Sequence, residues 1–351
     1  MTEQQEPLSC ELLRYARQVR YAPLGEQGQR HLLSSRVLIC GCGALGSVLA
    51  NTLARAGVGH LRIVDRDFLE LNNLQRQVLF DEEDLSAALP KAIAAANKLR
   101  KINSDIEIEP IVADVDHTNI FQLCKDVNVI VDGTDNFETR FLLNDVAMKL
   151  QIPWVYGGCL GAEGQTMTII PGKTACLRCL MRDTPPPGTT PTCDTAGILG
   201  GIINVIASIE AVETIKLLSG ATEAVSKYLT IIDLWDNQIR QMNTESLHAH
   251  ADCPTCRGDE FPLLEGKRGN HSAVLCGRNA VQLSPISPEG LDLEQLATKL
   301  TSVGEVNRNR YLLRLSVDNY LVTLFPDGRA IIGGTDDPGT ARTIYAKYIG
   351  N

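Results

Sequence analysis

Between positions 34 and 155, short apolar runs alternate with longer segments whose apolar residues recur every third or fourth position. The runs predict strands at 37–40, 61–64, 106–112, 127–131 and 154–156. The periodic segments predict helices at 46–56, 90–101, 118–125 and 139–150. Such alternation implies an α/β, doubly wound and mostly parallel Rossmann-like sheet with helices on both faces. Right-handed crossovers then place a ligand at the carboxyl ends of the strands. Further β-type runs follow at 164–170 and 228–232, flanking an apolar helical stretch at 200–218. The intervening segment 182–192 carries four prolines and no periodicity, so it reads as a loop leading to Cys193.

Beyond Cys256 the pattern changes. Residues 257–270 read as a linker, followed by a strand at 273–283, a helix at 291–300 and a strand at 311–317. A hairpin comes next, 320–325 with 329–332, turning at Pro326-Asp327-Gly328, and a final helix at 337–348 has Pro338 in its first turn. The division expected is a domain over 1–262 and a small α+β domain over 263–351. The latter shows no catalytic motif and suits docking or dimer support.

The chain has 351 residues, 44% hydrophobic and 21% charged, which is ordinary for a soluble protein. A net charge of −9 argues against nucleic acid as the main partner. The polar, acidic start is no signal peptide, and the longest apolar stretch, 198–209, is too short to span a bilayer. A cytoplasmic protein without membrane contact is expected. Eleven cysteines without an export signal disfavour a disulfide framework. Cys176/Cys179 and Cys253/Cys256 form two Cys-x-x-Cys pairs, the pattern of a closed, structural Cys₄ zinc site. A redox pair is the weaker rival, since neither motif opens a helix in a thioredoxin-like unit. Cys10, Cys40, Cys42, Cys124, Cys159 and Cys276 read as packing residues.

The candidate chemistry begins at the first strand. Gly41, Gly43 and Gly46 form a Gly-x-Gly-x-x-Gly turn, with Ala44 inside it, where backbone can approach phosphate at a helix N-terminus. Asp65 ends the second strand, where a carboxylate can hold ribose hydroxyls; Asp67 is the lesser alternative. Alone, these features suggest NAD. The segment Asn72-Asn73-Leu74-Gln75-Arg76-Gln77 favours ATP instead, because an amide and a guanidinium suit a triphosphate. Lys91 opens the next helix as a further cation, and Asp135 and Asn136 follow an apolar strand where a carboxylate can coordinate Mg²⁺. Asp132 is a second choice there. Singly, Arg76 or Lys91 would be an ordinary solvated charge.

Residues 65–77, together with Arg14-Tyr15-Ala16-Arg17-Gln18, resemble the adenylating enzymes MoeB, ThiF and HesA, bacterial relatives of the ubiquitin-activating enzymes. The resemblance runs over roughly residues 10–260 with the motifs in the family's order. It implies that Asp65 binds ribose, that Asn73, Arg76 and Lys91 contact the phosphates, and that Asp135 is the metal-linked acid. Arg17 would reach the triphosphate from the other subunit of a homodimer. The implied reaction is ATP-dependent adenylation of the C-terminal glycine of a ubiquitin-like sulfur-carrier protein ending in Gly-Gly, with Mg²⁺ and Zn²⁺ as cofactors. Cys193 resembles the cysteine that forms a thioester or acyl disulfide in some relatives; a passive loop cysteine is the other reading. Ala44 departs from the glycine usual in MoeB-like sequences. Adenylation of a peptide or small acid is the alternative, and an NAD-binding oxidoreductase or sensor a more distant one.

Overall fold

A computed structural model describes residues 9–185, 196–250, 252–266, 272–275, 279–283 and 291–349. Cys193 and Cys276 lie outside them. The described residues fall into two compact units, one within 1–190 and 198–267, the other made of 196–197 and residues within 268–351.

The larger unit is built on an eight-stranded sheet of order β3-β2-β1-β4-β5-β6-β7-β8. Its strands are β1 Arg36–Cys40, β2 His60–Val64, β3 Glu107–Ile111, β4 Val129–Asp132, β5 Trp154–Leu160, β6 Glu163–Ile169, β7 Tyr228–Asp233 and β8 Gln238–Asn243. β3 to β5 pair in parallel, while β6 to β8 extend the sheet antiparallel. Strands buried on both faces need apolar residues at every position, which is why the first runs are continuous. Val37 and Ile39 pack beneath helices α1 Ala44–Ala56, α2 Lys91–Ile102 and α4 Gly200–Ser219, whereas Leu38 and Cys40 pack against α3 Phe137–Leu150. The helix expected at 46–56 begins earlier, at Ala44, because Gly43 occupies the N-cap and Gly46 fits inside the first turn. The helix expected at 118–125 is a single turn, Ile120–Leu123.

The smaller unit is a six-stranded antiparallel sheet of order β11-β12-β13-β14-β10-β9. Its strands are β9 Ser272–Leu275, β10 Ala280–Leu283, β11 Glu305–Arg308, β12 Leu313–Val317, β13 Tyr320–Leu324 and β14 Ala330–Gly333. Helices α5 Leu293–Leu300 and α6 Pro338–Tyr348 share its core, with Leu300 and Ile344 buried against Leu313, Val322 and Ile332. The single strand expected at 273–283 is two antiparallel strands, with Asn279 at φ 43° just before β10. No helix among the described residues is long and apolar enough to cross a membrane.

Candidate functional site

The register Cys40↔Val64 and Cys40↔Asp132 brings the ends of β1, β2 and β4 side by side. The turn after β1 is stitched into this edge: Gly41 N–H donates to the Val64 carbonyl at 2.8 Å, and Gly133 N–H donates to the Cys40 carbonyl at 2.8 Å. Gly41 needs its φ of 86°, and a methyl there would sit 2.6 Å from the Gly133 carbonyl oxygen. A methyl on Gly46 would overlap the Gly41 carbonyl, so both glycines are required by close backbone approach.

Asp65 braces the turn. Its carboxylate accepts from Cys42 N–H at 2.6 Å and from Asp67 N–H at 2.6 Å. Burial raises its pKa above the usual carboxylate range; Lys91 and these N–H groups work in the opposite direction. Lys91 is the first residue of α2 and only 3% exposed. Its ammonium lies 3.3 Å from Asp67 Oδ2, so Asp67 is the counter-ion of Lys91.

The turn Leu71–Asn73 opens the polar segment, whose far end, Gln77, comes near Gly43 of the glycine-rich loop. Asn73 is buried; it accepts from Glu70 N–H at 3.2 Å and donates to Asn72 Oδ1 at 2.8 Å. Arg76 donates to the Asn72 carbonyl at 2.7 Å, which holds its guanidinium against the turn. Gln77 is buried, and a methyl on Gly43 would lie 3.8 Å from its Nε2. Its Oε1 has no hydrogen-bond partner among the described residues, a buried polar atom beside the glycine-rich loop.

After β4, Asp132 is fully buried and turned inward. It accepts from Thr134 N–H at 2.8 Å, from the Thr134 hydroxyl at 2.7 Å and from Arg140 Nε at 3.2 Å. Asp135, two residues beyond Gly133, is exposed, and Asn136 caps α3 by accepting from Thr139 N–H at 2.8 Å. Arg66 stays charged despite burial because Asp114, Asp67 and Asp135 surround it. Arg17 lies elsewhere. Its short helix Ala16–Val19 is tied by Gln18 to the Ala56 carbonyl at 2.8 Å, at the C-terminal end of α1. A 13-residue helix is ~20 Å long, so this is the far end from the glycine-rich turn.

The four paired cysteines converge. Cys176 Sγ is 3.7 Å from Cys253 Sγ and 3.9 Å from Cys179 Sγ, and Cys179 Sγ is 3.6 Å from Cys256 Sγ. All four sulfurs lie within 4.8 Å of one another. Tetrahedral thiolates ~2.3 Å from one ion stand ~3.8 Å apart, so this cluster could hold a metal ion.

Glu210 is a carboxylate within the apolar helix α4. It is 0% exposed, and neither carboxyl oxygen has a hydrogen-bond partner among the described residues. A methyl on Gly157 would collide with it. Burial first, then nearby Asp132, pushes its pKa well above the carboxylate range, while Arg140 partly offsets them. A carboxyl whose folded pKa is raised contributes most below its unfolded value, ~4.3, and loses that contribution as pH rises towards the folded one. Glu210→Gln should therefore leave stability little changed near pH ~4 and raise it by ~1–3 kcal/mol near pH ~8. Thermal melts at the two pH values check this; equal effects at both would contradict it.

Comparison with known proteins gives a consistent picture. The ThiF family profile matches residues 15–255. The Sulfur carrier protein ThiS adenylyltransferase of Bacillus subtilis is 45% identical over 338 residues, covering 96% of this chain and 99% of that protein. The SAMP-activating enzyme E1 of Haloferax volcanii is 41% identical over 248 residues, covering 71% of this chain and 90% of that protein. Among solved structures, E. coli MccB with ATP superposes with a TM-score of 0.59 at 23% identity, over 70% of this chain and 73% of that chain, which establishes a shared fold.

Proposed function

The chain belongs to the ThiF family, and on that premise we propose that it adenylates the C-terminal glycine carboxylate of a ubiquitin-like sulfur-carrier protein. The observation that carries this reading is the 45% identity to a sulfur-carrier adenylyltransferase over 96% of the chain, a span that includes most of the smaller unit. In the reaction, a carboxylate oxygen of the carrier attacks the α-phosphorus of ATP. The bond from that phosphorus to the α,β-bridging oxygen breaks, and pyrophosphate leaves with the electron pair. The carboxylate is already ionised, so no base is required; positioning and charge neutralisation carry the rate.

The roles are those the family resemblance implies, and the placement of the residues supports them. Asp65 would accept from the ribose hydroxyls, and Asn73, Arg76 and Lys91 would contact the phosphates. Gly41, Gly43, Ala44 and Gly46 would let the phosphates approach the first turn of α1, with Asn72 and Asn136 as further contacts. The exposed carboxylate of Asp135 supplies the hard oxygen suited to Mg²⁺, which when bound neutralises charge on the triphosphate. Cys176, Cys179, Cys253 and Cys256 would hold Zn²⁺ with every coordination position filled, a structural role. The remoteness of Arg17 from its own chain's turn supports a homodimer in which each subunit lends Arg17 to its partner's site. We place the enzyme in the cytoplasm, where sulfur carriers and ATP meet.

The test is transfer of label. Protein, Mg²⁺, a Gly-Gly-ended carrier and α-³²P-ATP should give acid-precipitable label on the carrier, lost when the carrier's final glycine is deleted. Label from γ-³²P-ATP, or none from either, would contradict the reaction.

A further inference from the structure

Lys91 is buried in a way that a lysine rarely is. Its side chain is 4% exposed and that of Asp67 20%, with 3.3 Å between ammonium and carboxylate. The two residues are also joined through the backbone, since Lys91 N–H donates to the Asp67 carbonyl at 2.9 Å. The neighbouring pair Phe68↔Pro90 forms an antiparallel bridge. Asp67 is fixed from its other side by its N–H to Asp65 Oδ1 at 2.6 Å. The groups around the ammonium are therefore Asp67, then Asp65 from the end of β2 and Cys42 from the glycine-rich turn. Arg66, 3.8 Å from Asp67, is drawn away by Asp114 at 2.9 Å. An ammonium taken out of water without a counter-charge gives up its proton. Asp65 is the second carboxylate acting on the ammonium, and its oxygens are already held by two N–H groups.

We propose that Asp67 is the positioning residue for Lys91: it keeps the buried ammonium protonated and fixed beside the glycine-rich turn, ready for phosphate. This rests on the reading that Lys91 contacts the triphosphate. Asp67 touches neither nucleotide nor carrier in this role. It acts by setting the charge state and place of its neighbour. The sequence hinted at Asp67 only as a spare ribose ligand, and its actual partner lies 24 positions away, which no local motif reveals.

The consequence is a pH dependence that a merely structural residue would not create. In the intact protein, turnover and ATP affinity should be flat from pH ~7 to ~9, because the carboxylate 3.3 Å from the ammonium favours its charged form. In Asp67→Asn, Lys91 loses the carboxylate 3.3 Å from its ammonium, and its charged form is less favoured. ATP affinity, measured by calorimetry, and kcat/KM for ATP should then be within ~3-fold of the parent near pH ~7 and fall ~10-fold or more by pH ~9. Asp67→Glu should restore the flat profile. A guanidinium cannot lose its proton, so in a Lys91→Arg background Asp67→Asn should produce no basic loss. The proposal is overturned if Asp67→Asn costs the same factor at every pH, or if the basic loss persists with arginine at 91. Should Asp67→Asn fail to fold, Asp67→Ser, which also removes the carboxylate, takes its place: a basic loss sustains the proposal, and a cost equal at every pH overturns it. A parent protein that neither binds nor turns over ATP at any pH defeats the functional reading instead.

Discussion

Arg76→Ala is expected to lower carrier-dependent adenylation ~10²–10³-fold, with the folded state intact. The guanidinium is pre-placed by its hydrogen bond to the Asn72 carbonyl at 2.7 Å, so little ordering remains to be done when a triphosphate arrives. Arg76→Lys should not restore the rate, since one ammonium cannot keep the Asn72 contact and also present a planar fork to phosphate. Arg17→Ala should be comparably slow, although Arg17 sits at the far end of α1 in its own chain. Mixing the two inactive variants provides the sharper result. Random re-pairing of equal amounts gives half heterodimers, each with one intact site of two, so about one quarter of parental activity should return. No recovery after exchange of subunits would place Arg17 outside the partner's site.

Breaking the four-cysteine cluster should have an effect of similar weight on stability. Four sulfurs within 4.8 Å of one another cannot all be thiolates without a cation between them. The purified protein should therefore carry one zinc per chain by elemental analysis. Cys253→Ser or Cys256→Ser should release it and destabilise by ~3–5 kcal/mol, or ~10 °C in melting temperature for a unit of this size. The cysteines tether the segments around 176–180 and 253–258, whose helices are a single turn and cannot stand alone. A metal-free protein with parental stability would contradict the structural assignment.

What the sequence disclosed follows from where information is local. β1 and β4 are apolar runs between turn residues and β2 is one interrupted only by Arg62, and all three were legible to within a residue or two. β8 was missed because Gln-Ile-Arg-Gln-Met-Asn is almost wholly exposed and carries no burial pattern. β11, Glu-Val-Asn-Arg, failed to register for the same reason. In the site, the glycine spacing and Asp65 could be read because a turn imposes short-range requirements. The inward pairing of Asp132 with Arg140 and the pairing of Asp67 with Lys91 could not, since tertiary folding alone sets them. Glu210 did leave a signal, a carboxylate within an apolar helix, but its lack of a partner is visible only in three dimensions.

The central claim is adenylation of a carrier carboxylate, and ATP–pyrophosphate exchange with the full-length protein tests it most directly. The account predicts exchange that requires a Gly-Gly-ended ubiquitin-like carrier and disappears in Arg76→Ala. Exchange absent with every such carrier, or equally fast without one, would contradict it.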